Sequence, residues 1–140
     1  MKARIGIEPW ARTPKSSLVS MGSALRAEHL SEITELLDSL SQQREKIEEE
    51  TPWDGDATDV VHFAQEEIYT ALVASAIPSM EIVKGLDSSF VGTRFWFSLA
   101  LKEKPNRLVV SAIRRALLVE TDQLNRKTLE EALNACGAGG

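Results

Sequence analysis

Residues 18–50 read LVSMGSALRAEHLSEITELLDSLSQQREKIEEE and contain no proline. Apolar side chains recur in this stretch at three- and four-residue spacing, at Leu30, Ile33, Leu37, Leu40 and Ile47. Arg44 takes the position of the series that would otherwise be apolar. Side chains with this spacing share one face of an α-helix. The stretch therefore predicts a long amphipathic helix, with Gly22 as the point where it could break.

Turn residues and prolines divide the rest of the chain into further helices. The sequence TPWDGD at 51–56 has turn composition and offers capping side chains to a second helix, which should begin near Asp56–Thr58. Pro78 stops or kinks that helix, and a short helical piece is predicted around Met80–Lys84. A last helix is predicted over Thr128–Ala135, because Thr128 and Glu131 have the spacing of a capping box.

The segment from Arg94 to Ile113 fits two templates. Every second residue from Phe95 to Leu101 is a large apolar one, which is the pattern of a strand. The same segment also places apolar residues at helical spacing, and it continues into the helix-forming run Ala112–Leu118. Helix is therefore the favoured interpretation.

These patterns predict a mainly α protein, a small helical bundle of four to five helices with an extended N-terminal arm. The alternative is an α+β fold with a β-hairpin at about 93–113. Residues 1–17 contain two prolines and Gly6 and predict the extended or flexible arm. Residues 18–136 are expected to form a single helical domain, and residues 137–140 a flexible tail.

Composition limits the classes of protein to which the chain can belong. Its 140 residues suffice for one hydrophobic core, and it contains a single cysteine, so an intramolecular disulfide and a cysteine-based zinc site are excluded. No run of about 18 uncharged apolar residues occurs, and charges interrupt the N-terminal stretch, so neither a membrane span nor a secretory signal is expected. We therefore expect a cytoplasmic location and no membrane partner.

The net charge of −5 is unevenly distributed. Residues 26–67 carry thirteen acidic and three basic side chains, whereas residues 102–127 carry seven basic and three acidic ones. A chain polarised in this way can pair its own segments, bind a copy of itself head to tail, or offer a basic surface to nucleic acid or an acidic protein.

Two pairs of carboxylates have the same spacing. Glu32 and Glu35 lie three residues apart in the first predicted helix, and Asp56 and Asp59 repeat the spacing where the second begins. If the two helices are antiparallel, the four carboxylates could converge on a magnesium ion that also binds a substrate's phosphates. With the preceding TPKSSL at 13–18, this pattern resembles the all-α MazG-like nucleotide pyrophosphohydrolases over about residues 13–72. The resemblance implies magnesium-dependent hydrolysis of nucleoside triphosphates.

The interpretation that needs the fewest assumptions is a non-enzymatic module for protein–protein interaction or assembly, either an accessory subunit or a self-associating protein. Its predicted interaction residues are Leu30, Ile33, Leu37, Leu40, Ile47, Trp96, Arg114 and Arg115. No catalytic residue and no cofactor is expected, and magnesium enters only under the pyrophosphohydrolase alternative. A second alternative is a nucleic-acid-binding accessory protein that uses the basic segment 102–127.

Overall fold

The computed structural model describes residues 24–137, and this part of the chain consists of helices and short connections. Its six α-helices are α1 (Leu30–Glu50), α2 (Gly55–Ala74), α3 (Ser79–Ile82), α4 (Val91–Glu103), α5 (Val110–Val119) and α6 (Gln123–Ala135). Three 3₁₀ helices lie at Ala27–His29, Val83–Asp87 and Arg107–Val109. The mainly α class is confirmed. The alternative with a β-hairpin at about 93–113 is wrong, because α4, a 3₁₀ turn and α5 occupy that segment.

Several predictions concern residues outside the described range. The N-terminal arm at 1–17 and the break near Gly22 lie outside it, as do residues 138–140 of the predicted tail. The contacts between residues divide the chain into two compact units, the first ending at Ala76 and the second beginning at Ile77. A single domain over 18–136 stays a prediction.

The first unit contains an antiparallel hairpin of α1 and α2. The short connection 51–54 joins the helices, and the Asp54 carboxylate caps α2 by accepting a hydrogen bond of 3.1 Å from the Ala57 backbone N–H. Inside the hairpin, Gln65 Nε2 donates to Ser41 Oγ over 3.1 Å, and both residues are buried. This contact fixes the register of the two helices. Large apolar side chains fill the interior: Ile33, Leu37, Leu40, Ile68 and Leu72.

The second unit is organised around α4. The helix packs against α6, and the Val83–Asp87 turn lies on it at Gly85, where the glycine backbone meets the Phe97 ring. Helix α5 in turn packs against α6. The buried side chains of this unit include Phe97, Leu101, Ile113, Leu129 and Ala132.

The last helix begins earlier than predicted. Helix α6 starts at Gln123, and its cap is Asp122, whose carboxylate accepts a hydrogen bond of 2.9 Å from the Asn125 backbone N–H. Thr128 lies inside the helix, and its hydroxyl donates to the Leu124 carbonyl. The capping-box spacing at Thr128 was misleading because a threonine in a helix can bond the carbonyl of the preceding turn instead.

Candidate interaction surfaces

The predicted apolar seam of α1 is part of the interior of the chain. Leu30, Ile33, Leu37 and Leu40 are buried, and Ile47 is half-buried. Helix α2 packs along α1. The prediction that this seam contacts a partner is therefore corrected, since these side chains have already lost their water to neighbours in the same chain.

Trp96 is also buried, with 4% of its surface exposed. Its ring meets that of Phe95 edge to face, with the ring centroids 5.1 Å apart. A tryptophan packed in this way contributes to the core of the second unit and offers no surface to a partner. Its predicted role as an interaction residue is corrected on the same ground.

Some of the basic side chains in the segment 102–127 bind groups within the second unit. Lys102 Nζ lies 3.4 Å from Glu131 Oε1, and Lys104 Nζ donates to the Ile77 carbonyl over 2.8 Å. Arg126 Nη1 donates to the carbonyls of Leu117 and Glu120 over 2.8 and 2.9 Å. The remaining bases are exposed: Arg107, Arg114, Arg115 and Lys127. Arg114 and Arg115 thus lie on the surface.

Three of these arginines share the surface of α5 and the preceding turn with large apolar side chains. Leu108, Leu118 and Val119 are 72%, 84% and 79% exposed. No acidic residue occurs between positions 107 and 119, and the opposite face buries Val109 and Ile113. We call the exposed set the α5 stripe: Arg107, Leu108, Arg114, Arg115, Leu118 and Val119. It combines positive charge with apolar surface on one short helix.

An ion pair between the half-buried Arg94 and the buried Glu120 lies at the end of the α5 stripe. Both oxygens of Glu120 bind the Arg94 guanidinium, Oε1 to Nε over 2.9 Å and Oε2 to Nη2 over 3.2 Å. Glu120 also accepts hydrogen bonds from the Asp122 backbone N–H and the Asn125 amide. Burial by itself would raise the pKa of Glu120, but the hydrogen bonds from Arg94, Asp122 and Asn125 outweigh it and hold that pKa below its usual value. The C-terminal end of α5 is therefore held in a charged and hydrogen-bonded network.

An open groove of two adjoining cavities, about 320 and 450 Å³, runs between residues 83–88 and α5. Leu86, Asp87, Ala116 and Val119 line both cavities. Arg94 and Glu120 line the smaller cavity but are bound to each other. The groove thus adjoins the α5 stripe, and its walls combine apolar side chains with the exposed charges of Lys84, Asp87 and Arg115.

A second exposed apolar surface lies at the closed end of the α1–α2 hairpin. Trp53, Val60 and Phe63 are 80%, 62% and 57% exposed. Exposed carboxylates surround them in the sequence and on the helices: Glu45, Glu48, Glu49, Glu50, Asp54, Asp56, Asp59 and Glu66. We call these apolar and acidic residues together the acidic tip. Sequence reasoning missed Val60 and Phe63, although their positions beside the buried series Val61, Ala64 and Ile68 of α2 mark them as outward-facing.

The four candidate magnesium ligands are not brought together. Glu32 and Glu35 lie at the start of α1, and Asp56 and Asp59 at the start of α2. Because the helices are antiparallel in the register of the Ser41–Gln65 contact, the helical rise separates Glu32 from Asp56 by about 25 Å along the hairpin. Between residues 24 and 137 no group of three or more histidine, cysteine or acidic side chains could hold a metal ion. The expectation that the carboxylates converge is therefore wrong.

Two carboxylate oxygens of the first unit, one of them on the candidate ligand Glu32, are buried without a hydrogen-bond partner among the described residues. They are Oε2 of Glu32 and Oε2 of Glu67. Burial raises the pKa of Glu67, and the neighbouring Glu66 carboxylate raises it further. In the register of the hairpin the two residues lie about 10 Å apart along its axis, so they do not form a pair.

Comparisons with known proteins do not identify the chain. No family model, curated protein or solved structure matches it. Within residues 24–137, no helix has the length and apolar character needed to cross a bilayer.

Proposed function

We propose that this chain is a non-enzymatic helical assembly module that works through protein–protein contact, as a self-associating protein or an accessory subunit. The observation that carries this proposal is the α5 stripe, in which Leu108, Leu118 and Val119 are more than two-thirds exposed beside arginines. Exposed apolar side chains grouped on one surface are typical of interaction sites, and arginine is enriched there.

The composition of the α5 stripe favours a protein partner over a nucleic acid. Binding to phosphates requires cations, and three bases of the segment 102–127 already bind groups within the second unit. Exposed leucine and valine contribute nothing to phosphate binding, whereas their burial against a protein partner is favoured by the hydrophobic effect. A partner with acidic and apolar groups together fits this surface best.

The pyrophosphohydrolase alternative has less support. It needs four carboxylates around magnesium, and the antiparallel hairpin separates Glu32 and Glu35 from Asp56 and Asp59. An assembly role requires no such convergence, since it uses only the exposed surfaces.

The proposal is tested with a double variant, Leu118→Asn with Val119→Asn, which keeps the arginines and removes apolar surface. The matched control is Leu124→Asn, a leucine that is 57% exposed on α6 and lies outside the α5 stripe. Solution mass by light scattering and retention of proteins from a lysate on the immobilised chain are measured for each. We expect the double variant to lose self-association or a retained partner, while wild type and control keep it.

Two results would overturn the assembly role. One is a wild-type chain that stays monomeric and retains no protein in a manner that depends on the α5 stripe. The other is salt-dependent retardation of a labelled duplex or single strand that Arg114→Ala with Arg115→Ala weakens and the Leu118/Val119 variant does not, which would favour nucleic-acid binding.

A further inference from the structure

We infer that the α5 stripe of one copy docks on the acidic tip of a second copy, so that the chains associate head to tail. This inference rests on the proposed assembly function, and the partner is a second copy of the chain. Each copy has one basic apolar surface and one acidic apolar surface, which belong to different units of the chain.

The charges of the two surfaces are complementary. The α5 stripe contains Arg107, Arg114 and Arg115 and no carboxylate. The acidic tip has eight exposed carboxylates, of which Glu48 binds Arg44 over 3.1 Å. Lys46 is the exposed lysine beside them. Two copies of the α5 stripe would repel each other, as would two copies of the acidic tip, so unlike surfaces are favoured over a symmetric contact.

The apolar groups are complementary as well. On α2, Asp56, Val60 and Phe63 recur at spacings of four and three residues, so carboxylate and apolar side chains share one face. On α5, Arg114 and Leu118 are four residues apart and place a cation and an apolar side chain on one face in the same way. Trp53 adds a large aromatic group, the type of side chain that most often dominates binding energy at interfaces.

Docking of unlike surfaces has a consequence for assembly. A heterologous contact uses a different surface on each partner. A linear assembly of copies therefore has one unoccupied surface at each end, and only closure into a ring occupies both. Removing one surface from a copy therefore turns it into a cap that can bind on one side only.

The experiment uses two charge-reversal variants of the full chain. The stripe variant carries Arg114→Glu with Arg115→Glu, and the tip variant carries Asp56→Lys with Asp59→Lys; all four positions are exposed. Sedimentation velocity is measured for each variant alone, for an equimolar mixture with one variant tagged, and for a chain that carries all four substitutions.

We expect each variant alone to dissociate at least about tenfold more readily than wild type. The mixture should form a heterodimer and stop there, because only the intact surfaces can meet. The chain with all four substitutions should not associate, because its tip keeps six of the eight carboxylates while its stripe has gained two. The matched controls are Lys127→Glu and Glu130→Lys on α6, which are exposed positions outside both surfaces and should leave the mass unchanged.

The inference fails if the wild-type chain is monomeric at about 100 μM, a concentration at which even a weak specific contact is populated. It also fails if the variants associate like wild type, or if they dissociate but do not complement each other in the mixture. A monomeric wild type that still retains another protein through Leu118 and Val119 would overturn this inference and leave the proposed function standing. Circular dichroism of each variant shows whether the helical fold is kept.

Discussion

Glu120 carries a negative charge into the interior of the second unit. Its side chain is buried and holds Arg94, Asn125 and the start of α6 in one network. Removing one member of such a network leaves the other polar groups buried without their partner. The resulting loss of folding free energy is larger than the net contribution of the intact ion pair. The network thus stabilises the connection between α5 and α6 by making each member depend on the others.

The substitution Glu120→Gln should destabilise the second unit by about 2 kcal/mol at neutral pH. The pKa of Glu120 is lowered in the folded state, so its carboxylate stabilises the fold above the ordinary pKa of the group, and this contribution disappears as the pH falls through the lowered value. The loss should therefore shrink in acid. Urea unfolding followed by Trp96 fluorescence, with Trp10 and Trp53 replaced by phenylalanine, measures it.

Glu130→Gln is the control for this prediction, because Glu130 is an exposed acid on α6. Its unfolding free energy should stay within about 0.5 kcal/mol of the parent. A loss from Glu120→Gln that is equal at pH values of about 7 and about 3 would contradict the assigned role of the charge.

At the scale of the elements, the approach of the Val83–Asp87 turn to α4 depends on a glycine. A Cβ atom at Gly85 would overlap the Phe97 ring, and Phe97 is fully buried. The backbone of the turn therefore takes the place that a side chain would occupy, and the ring cannot move aside without disturbing the core.

The substitution Gly85→Ala should destabilise the second unit by about 1–3 kcal/mol, as expected for overpacking a filled core. Gly55→Ala is the matched control: a Cβ there meets nothing within 4 Å, and Gly55 opens α2. It should be neutral or stabilise by up to about 1 kcal/mol, since alanine restricts the unfolded chain. Thermal unfolding of both variants measures the difference, and equal effects would contradict the described contact.

For the whole molecule, the uneven charge is the property with the widest consequence. Residues 26–67 carry a net −10 and residues 102–127 a net +4. Opposite charges on different units of one chain attract between copies and are screened by salt.

Association of the wild-type chain should therefore weaken when the salt concentration rises from about 50 to about 500 mM. Light scattering at several protein concentrations measures the average mass. Magnesium chloride and sodium chloride at equal ionic strength should act alike, because the carboxylates Glu32, Glu35, Asp56 and Asp59 do not converge. A mass that responds specifically to magnesium would revive the pyrophosphohydrolase alternative.

Much of the fold was predictable from local patterns. The spacing of Ile33, Leu37 and Leu40 predicted a long first helix, and the composition of 51–56 predicted the turn that follows it. The start of α6 was not predictable from spacing alone, because Thr128 and Asp122 both offer a capping side chain and only the packed helix selects between them.

The candidate surfaces were harder to predict than the helices. An apolar stripe such as that of α1 has the same spacing whether it packs inside the chain or against a partner, and only the position of α2 decides this. The separation of Glu32 from Asp56 depends on the direction and register of two helices, which local spacing does not contain. Arg114 and Arg115 are exposed, and their role as interaction residues stays a prediction.

Cys136 gives the protein a built-in kinetic probe. Its thiol, the only one in the chain, is buried where the C-terminal end of α6 meets residue 106, and Sγ accepts a hydrogen bond of 3.4 Å from the Asn106 backbone N–H. A thiol reagent must wait until that junction opens. The rate at which the reagent labels Cys136 in the wild-type protein therefore reports how often the second unit opens at the base of α5. No reporter group has to be introduced.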